Sequence, residues 1–199
     1  MAFRRVERAD LSKLMKWRVS EEVTKYMYTD PGLDLKKQEE WFAKVSDDDT
    51  IAIWVVSYNG HDFAVAHLYD INLLHKRCFW GYYIGEQSLR NKGLSKQISC
   101  NIYDHVFYKL NLNKICGEVI GYNEKVIRMA EKRGFDVEGV FKQHIFKNGQ
   151  FHDVIRIALM KYKWDRIRTS FGYEKVKMKD AEIQFQNKPP GGTKVKDYG

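Results

Sequence analysis

The sequence is poor in the residue types that mark secreted, metal-binding and membrane-spanning proteins. It has three cysteines, Cys78, Cys100 and Cys116, and only three prolines in 199 residues. The cysteines are odd in number, lack metal-ligand spacing and lie in apolar segments, which predicts structural thiols in a reducing compartment and no metal site. No window approaches roughly 18 uncharged apolar residues, and the opening MAFRRVERADL has no apolar run of a secretory signal. We therefore expect a cytoplasmic protein with no membrane partner.

Positive charge is present but unevenly spread. The formal net charge is +8, and residues 161–199 hold 10 Lys/Arg against 5 Asp/Glu. This excess suits an anionic ligand, but a solvated tail explains it equally well, and no groove-entering motif accompanies it, so we expect no nucleic-acid partner. The last segment, NKPPGGTKVKDYG, has the composition of a chain that does not pack. With 44% hydrophobic residues, we predict one domain over 1–164 and a basic, partly flexible extension over 165–199.

The order of predicted elements indicates an α/β (α+β) domain. In the first half of the chain, the patterns predict a strand near 3–6, helices after Asp10 and Asp34, and a three-stranded meander over 51–86. In the second half, they predict a helix from Leu94, a strand at 114–120, a helix at 123–132 and a closing hairpin that turns at Asn148-Gly149. This order predicts a central mixed, mostly antiparallel sheet flanked by helices, with a strand–helix–strand unit at its centre.

The stretch Arg90-Asn91-Lys92-Gly93-Leu94-Ser95 joins the apolar strand CFWGYYIGE to the next helix. The first turn of a helix has unpaired N–H groups and the positive end of the macrodipole, so it attracts phosphate. Gly93 would let the backbone approach a ligand, and Arg90 and Lys92 add charge. A polar turn with one glycine is more often only a turn, so this segment alone leaves both interpretations open.

Three segments together resemble the GCN5-related N-acetyltransferase (GNAT) superfamily. Arg-x-x-Gly-x-small after an apolar strand is similar to its pyrophosphate-binding signature, although Ser95 stands where Gly or Ala is usual. ICGEVIGYNEKVIRMAEKRGFDVEGV resembles its fifth strand, the asparagine that opens the next helix, and the Gly-Phe that follows. FDVEGVFKQHIFKNGQFHDVIRIALM resembles the branch that holds ribosomal-protein and spermidine acetyltransferases. The resemblance covers about residues 3–164.

This resemblance implies acetyl-coenzyme A as the donor and a primary amine as the acceptor. Because all three cysteines look buried, we expect direct transfer rather than a cysteine nucleophile, and no metal. The pyrophosphate would lie on backbone N–H groups of Arg90, Asn91, Lys92, Gly93, Leu94 and Ser95, and the Ser95 hydroxyl could donate to a phosphate oxygen. The pantetheine would lie along strand 80–86 between splayed central strands, where a backbone N–H, which we assign to Ile84, would polarise the thioester carbonyl. Asn123 would bind the coenzyme arm, cap the 123–132 helix, or do both.

An amine acceptor arrives mostly as ammonium, so a base is expected. Glu118 is the first candidate because it interrupts an apolar strand, where a carboxylate is costly unless it is used or paired; an ion pair with Arg or Lys is the equal alternative. Glu86 is the second candidate, although an exposed turn carboxylate is the commoner explanation. His67 interrupts its strand and could contact the acceptor with Asp70, or it could be a hydrogen-bonded core histidine.

The acid that returns a proton to the coenzyme thiolate is harder to assign. Many relatives have tyrosine where this sequence has Ala130. Tyr83 or Tyr122 could substitute, water could serve, or the thiolate could leave unprotonated. Tyr82 and Tyr83 alternate across one strand, so at most one of them faces the cleft. We take Tyr83 as the candidate.

The N-terminal helices are expected to select the acceptor. WRVSEEVTKYMYTD and HLYDINLLHKRCFWGYYIGE resemble PseH-like acetyltransferases, which implies a small-molecule acceptor with its amine on a nucleotide-linked amino-deoxysugar. The pocket residues would include Trp17, Arg18 and Tyr28, with Tyr26 and Met27 beside them. The alternative is core packing for Trp17 and Met27, and a surface or ion-pair position for Arg18. A polyamine or ribosomal-protein N-terminal acetyltransferase is the second hypothesis, and a non-catalytic acetyl-CoA-binding module the third. A monomer or homodimer fits each of them.

Overall fold

The computed structural model describes residues 1–178, which form one seven-stranded sheet with helices on both faces. The strands are β1 (Ala2–Arg5), β2 (Ala52–Tyr58), β3 (His61–Asn72), β4 (Arg77–Ile84), β5 (Lys114–Ile120), β6 (Asp136–Lys147) and β7 (Gln150–Met160). The α-helices are α1 (Leu11–Val19), α2 (Glu21–Thr24), α3 (Leu35–Ser46), α4 (Leu94–Asp104), α5 (Glu124–Lys132) and α6 (Lys161–Ile167). The strand order is β1-β2-β3-β4-β5-β7-β6.

Local sequence signals account for the turns that shape this sheet. Asn59-Gly60 and Asn148-Gly149 all have positive φ and close the β2–β3 and β6–β7 hairpins as two-residue turns. Asp34 caps α3 by accepting a hydrogen bond from the Lys37 N–H. The predicted order of strands and the helices after Asp10, Asp34, Gly93 and Asn123 are therefore confirmed.

The centre of the sheet opens between β4 and β5. These two strands are parallel and joined through α4, and they pair only where Arg77–Phe79 meets Lys114–Cys116. Beyond Phe79, β4 continues to pair with β3 as far as Ile84, while β5 continues with β7 as far as Ile120. All other neighbouring strands are antiparallel. The expected mixed, mostly antiparallel sheet with splayed central strands is confirmed.

Side-chain alternation gives the two faces of the sheet different cores. The larger core lies under α4 and includes Trp54, Leu68, Ile98, Ile115 and Leu159, each fully buried. The smaller core, on the opposite face, contains Leu14, Trp17, Ile53, Val55 and Val65. We call these sides the α4 face and the α1 face. Because successive β-strand side chains point in opposite directions, Tyr82 belongs to the α4 face and Tyr83 to the α1 face.

The described part of the predicted extension, 165–178, packs on α4. Trp164 of α6 is fully buried and donates from Nε1 to Asp104, and the Tyr173 hydroxyl donates to the same carboxylate. Asn101 bonds the backbone at residues 174 and 176. The predicted boundary at 164 thus falls inside α6, and NKPPGGTKVKDYG lies outside the described residues. None of the helices within residues 1–178 has the length and apolarity to cross a membrane.

Candidate active site

The turn before α4 has the open geometry that a phosphate ligand requires. A single 3₁₀ turn, Gln87–Leu89, leads to Gly93, which has φ +77° and directly precedes the helix. A Cβ built on Gly93 meets no atom of residues 1–178 within 4 Å, so this part of the structure leaves the backbone approachable. Asn91 and Lys92 are exposed beside it, while Leu94 is buried and fixes the start of α4 in the core.

Two polar residues of this turn face inward. Arg90 donates from Nε and Nη2 to the Ile84 carbonyl oxygen at 3.1 and 2.7 Å, and its Nη1 lies 3.2 Å from Glu22. It ties the turn to the end of β4. The Ser95 Oγ lies 2.6 Å from the Tyr82 hydroxyl and accepts from Arg133 at 3.0 Å, so it points into the fold. The backbone N–H groups of the turn and the side chains of Asn91 and Lys92 are thus left to bind a phosphate.

The opening between β4 and β5 can hold an extended ligand. Among residues 1–178, β4 has no strand partner on its β5 side beyond Phe79, so backbone groups of 80–84 face the gap. Asn123 precedes α5, but its side chain makes no cap hydrogen bond, so the amide is available to a ligand. The open edge of β4 and the Asn123 amide suit the two amides of coenzyme A, and the N-terminus of α4 suits its pyrophosphate.

Glu118 lies on the α1 face of β5, opposite Arg156 of β7. Its Oε1 lies 2.6 Å from Arg156 Nη1, and its Oε2 accepts a hydrogen bond from the Tyr28 hydroxyl at 2.9 Å. The guanidinium of Arg156 also stacks over the Phe79 ring, 3.9 Å from the ring centroid. The ion pair considered from the sequence is present, yet the Glu118 side chain is still 21% exposed and one of its oxygens faces Tyr28.

The segment that carries Tyr28 is anchored at both ends. The Tyr122 hydroxyl donates to the Lys25 carbonyl oxygen, and the buried Lys147 ammonium pairs with Asp30. Burial, and then the hydrogen bond to Glu118, raise the pKa of Tyr28. Tyr28 therefore meets Glu118 as a neutral donor at neutral pH, as part of a fixed wall.

Arg18 and His67 form the other wall of the α1 face. Arg18 Nη2 donates to the Thr29 carbonyl and hydroxyl oxygens, whereas its buried Nη1 has no hydrogen-bond partner among the described residues. The His67 ring lies on Gly81, where an added Cβ would be 2.6 Å from His67 Nε2. Burial, and then the charge of Arg18, lower the pKa of His67 to about 4, so the imidazole is neutral at neutral pH.

Four other predicted residues take up structural positions. Trp17 is 7% exposed, its ring covers Gly85, and its Nε1 donates to Glu86 Oε1 at 2.8 Å. Tyr83 packs against the same α1-face core, and burial raises its pKa. Asp70 pairs with Arg77 where β4 and β5 are still joined. Trp17 therefore packs in the core, which was the alternative to a pocket role. The carboxylates of Glu86 and Asp70 both have partners within the fold.

Sequence reasoning missed three residues that the structure brings to the site. Arg156 interrupts the apolar alternation of β7 as Glu118 does in β5, so the same signal could have found it. Tyr82 was left as the alternative to Tyr83, and Arg133 lies unremarked in the Glu-Lys-Arg-Gly-Phe run. The three cysteines are buried, and burial raises the pKa of Cys100 to about 11. Within residues 1–178, no group of His, Cys, Asp or Glu side chains is arranged to hold a metal ion.

Known proteins resemble this chain in sequence and in fold. Residues 1–136 match the family described as "Acetyltransferase (GNAT) domain". A spermidine N(1)-acetyltransferase of Escherichia coli K12 is 28% identical over 161 residues, which is 81% of this chain and 86% of the relative. A putative ribosomal N-acetyltransferase of Bacillus subtilis is 24% identical over 63% of this chain and 68% of its own. The crystal structure of a Vibrio cholerae spermidine N-acetyltransferase with CoA and spermine superposes with TM-score 0.77 at 25% identity, covering 82% of this chain and 96% of that one.

Proposed function

Since the chain belongs to the acetyltransferase (GNAT) family and is an acetyl-CoA-dependent N-acetyltransferase, we propose that its acceptor is a polyamine. The observation that carries this proposal is the similarity to spermidine N-acetyltransferases along about four fifths of the chain, in sequence and in fold. The nucleotide-linked amino sugar, which we expected first from the sequence, has no support from these relatives. The polyamine alternative is the better supported of the two.

On the donor side, the proposed roles fall mainly on the backbone. The N–H groups of 91–95 and the positive end of the α4 dipole bind the pyrophosphate, whereas the Arg90 N–H is already bonded to the Gln87 carbonyl oxygen; Asn91 and Lys92 add exposed polar contacts. The Asn123 amide bonds the pantetheine arm. The backbone N–H of Ile84, at the open edge of β4, polarises the thioester carbonyl as negative charge develops on its oxygen.

On the acceptor side, the proposed base is Glu118. An ammonium group must lose a proton before its nitrogen can attack, and Glu118 Oε2 is the carboxylate oxygen that Arg156 does not hold. Arg156 and Tyr28 fix the plane of the carboxylate from two sides, so it needs little reorientation when the acceptor arrives. Neutral His67 contributes no charge that would repel a cationic acceptor.

One observation favours a second candidate, an amine that also carries oxygen atoms, as a nucleotide-linked amino sugar does. Arg18 places a buried Nη1 without a partner, among the described residues, on the same face as Glu118. A buried unpaired donor costs about 1–3 kcal/mol, and an oxygen of the acceptor would remove that cost. A protonated polyamine has no lone pair to offer this donor.

Arg18→Met separates the two acceptors, with thiol release from acetyl-CoA as the assay. The panel holds spermidine, a peptide with a free N-terminus and a UDP-linked amino-deoxysugar. We expect turnover with spermidine, and we expect kcat/KM in Arg18→Met to be unchanged or a few-fold higher, because a cation has been removed. Arg8→Met is the matched control, since Arg8 is an exposed ion-pair partner of Glu39.

Suppose that the protein acetylates the sugar nucleotide alone and that kcat/KM falls about 10-fold or more in Arg18→Met. This result would reject the polyamine in favour of the second candidate. Turnover with the peptide alone would assign the ribosomal-protein type of acceptor. Acetyl-CoA binding without turnover on any acceptor in the panel would contradict all three.

A further inference from the structure

A buried cation lies directly behind the first turn of α4. Arg133, just after α5, is 8% exposed and donates from Nη1 to Ser99 Oγ at 2.7 Å and from Nη2 to Ser95 Oγ at 3.0 Å. Ser99 in turn donates to the Ser95 carbonyl oxygen at 2.9 Å. Because Ser95 is the second residue of α4, these bonds fix the guanidinium against the start of that helix.

The charge of Arg133 has no carboxylate to balance it. Among residues 1–178, no Asp or Glu side chain lies within ion-pair distance of it. Asp104, a carboxylate on the same helix, is paired with Arg168 and accepts a hydrogen bond from the Trp164 indole. The negative C-terminal end of α5 offsets part of the charge. A buried cation held by hydroxyl groups and a helix end still has a desolvation cost that a nearby anion would reduce.

The position of this cation is unfavourable for the fold by itself. The start of α4 is the positive end of the helix dipole, where an anion is stabilising and a further cation is not. The first turn has no acidic residue, and Gly93 supplies no side-chain cap. Lys92 and Lys96 add two more cations beside this turn, while Glu22 reaches it from α2 but pairs with Arg90. Positive charge is thus concentrated at one helix start, which is the arrangement expected where a polyanion binds.

We propose that Arg133 is a positioning residue of the donor site, and that its buried charge strengthens the binding of the coenzyme A pyrophosphate to the first turn of α4. This inference rests on the donor side of the proposed function, which assigns the pyrophosphate to that turn. Arg133 does not touch the ligand, because Ser95 lies between them, and its charge acts across the helix start. Water and salt screen a buried charge much less than an exposed one, so this contribution persists at high ionic strength.

Calorimetric binding of three ligands tests this proposal without any acceptor amine. The ligands are coenzyme A, dephospho-coenzyme A, which keeps the pyrophosphate but lacks the 3′-phosphate, and pantetheine, which lacks both. In Arg133→Met we expect the Kd of the two pyrophosphate ligands to rise about 10-fold and that of pantetheine to change less than about two-fold. The ratio of variant to wild-type Kd should be the same at low and at high salt. Arg166→Met removes an equal charge from an exposed site on α6 and should leave all three Kd values within about two-fold.

Two further variants separate the charge of Arg133 from its packing. Arg133→Lys retains a cation and should bring the Kd of both pyrophosphate ligands to within about three-fold of the wild type. Arg133→Gln retains hydrogen-bond donors without the charge and should resemble Arg133→Met. Two neutral variants are used so that the result does not depend on the folding of either one, which circular dichroism checks.

The outcomes distinguish this inference from the assignment on which it rests. An equal loss in Arg133→Lys and Arg133→Met, an equal loss for pantetheine, or an unchanged Kd for dephospho-coenzyme A overturns the proposed role of Arg133. In those cases, a wild type that binds dephospho-coenzyme A more tightly than pantetheine leaves the donor assignment standing. A wild type that binds all three ligands equally overturns the donor assignment and the role of Arg133 together.

Discussion

The two faces of the opening between β4 and β5 are built in different ways. On the α4 face, the donor turn relies on backbone N–H groups, one glycine with φ +77° and side chains contributed by neighbours in a short stretch. On the α1 face, the acceptor wall gathers Arg18 from α1, Tyr28 from a loop, His67 from β3, Glu118 from β5 and Arg156 from β7. In our proposal the first face binds the donor with a local motif, and the second binds the acceptor through contacts between distant parts of the chain.

This difference predicts how each face responds to substitution. Backbone contacts survive the loss of any one side chain, so single changes in the donor turn should have small effects. The acceptor side holds the Glu118 carboxylate between two partners and lays two rings on glycine backbone, so single changes at Glu118 or at those glycines should have larger effects. The predictions that follow test this asymmetry.

Glu118→Gln should give the largest effect. If Glu118 takes the proton from the acceptor, kcat should fall about 10²–10⁴-fold at neutral pH while the Kd of acetyl-CoA is unchanged. Steady-state kinetics with the working acceptor, together with acetyl-CoA binding, measure both quantities. Glutamine retains the size of the side chain and can still accept a hydrogen bond from Tyr28, so the loss would report the missing charge and base.

Glu138→Gln is the matched control for this change. Glu138 also pairs with a cation across the sheet, Lys114 of β5, at 2.5 Å, but away from the opening. We expect a similar, small loss of unfolding free energy in both variants and a loss of kcat only in Glu118→Gln. If kcat falls equally in both, Glu118 is an ion-pair residue and the acceptor wall lacks the base assigned to it.

The two faces also differ in how much of each could be predicted from the sequence. The turn before α4 and the helix starts follow from short patterns such as the apolar strand before Gly93, the splayed strands follow from the family resemblance, and the structure has these elements where they were predicted; the donor-binding role of the turn stays a prediction. The inward turn of Ser95 was not predictable, because its partner Arg133 is distant in sequence, and that of Arg90 was not, because it depends on where the Ile84 carbonyl points at the end of β4. On the acceptor wall, Glu118 stood out as a charge in an apolar strand, but only tertiary packing shows that Trp17 and Glu86 bond each other.

Gly85→Ala should have an intermediate effect, on stability more than on chemistry. The indole of Trp17 lies flat against Gly85, and an added Cβ would overlap its ring carbons, including Cγ near the fixed base of the side chain. The ring cannot rotate away without breaking its bond to Glu86, so we expect a loss of about 1–3 kcal/mol in unfolding free energy. Urea unfolding measures this loss.

Gly139→Ala provides the comparison for that measurement. Gly139 lies in β6, has no positive φ, and a Cβ there meets nothing within 4 Å. It should match the wild type within about 0.5 kcal/mol, which is ordinary for a half-buried site with room for the added methyl group. A Gly85→Ala protein as stable as Gly139→Ala would show that the α1-face core is more adaptable than its close packing indicates.

Lys92→Ala should give the smallest effect, on the donor side. Lys92 is an exposed cation one residue before Gly93, beside the backbone to which we assign the pyrophosphate. An exposed ionic contact is worth at most about 1 kcal/mol, so the KM for acetyl-CoA should rise about two- to five-fold at low salt and less at high salt, with kcat unchanged. Lys109→Ala removes the same charge from an exposed site beyond the other end of α4 and should leave the KM alone. A fall in kcat in Lys92→Ala, or a loss that salt does not reduce, would mean that a side chain rather than the backbone governs donor binding, and the contrast between the two faces would fail.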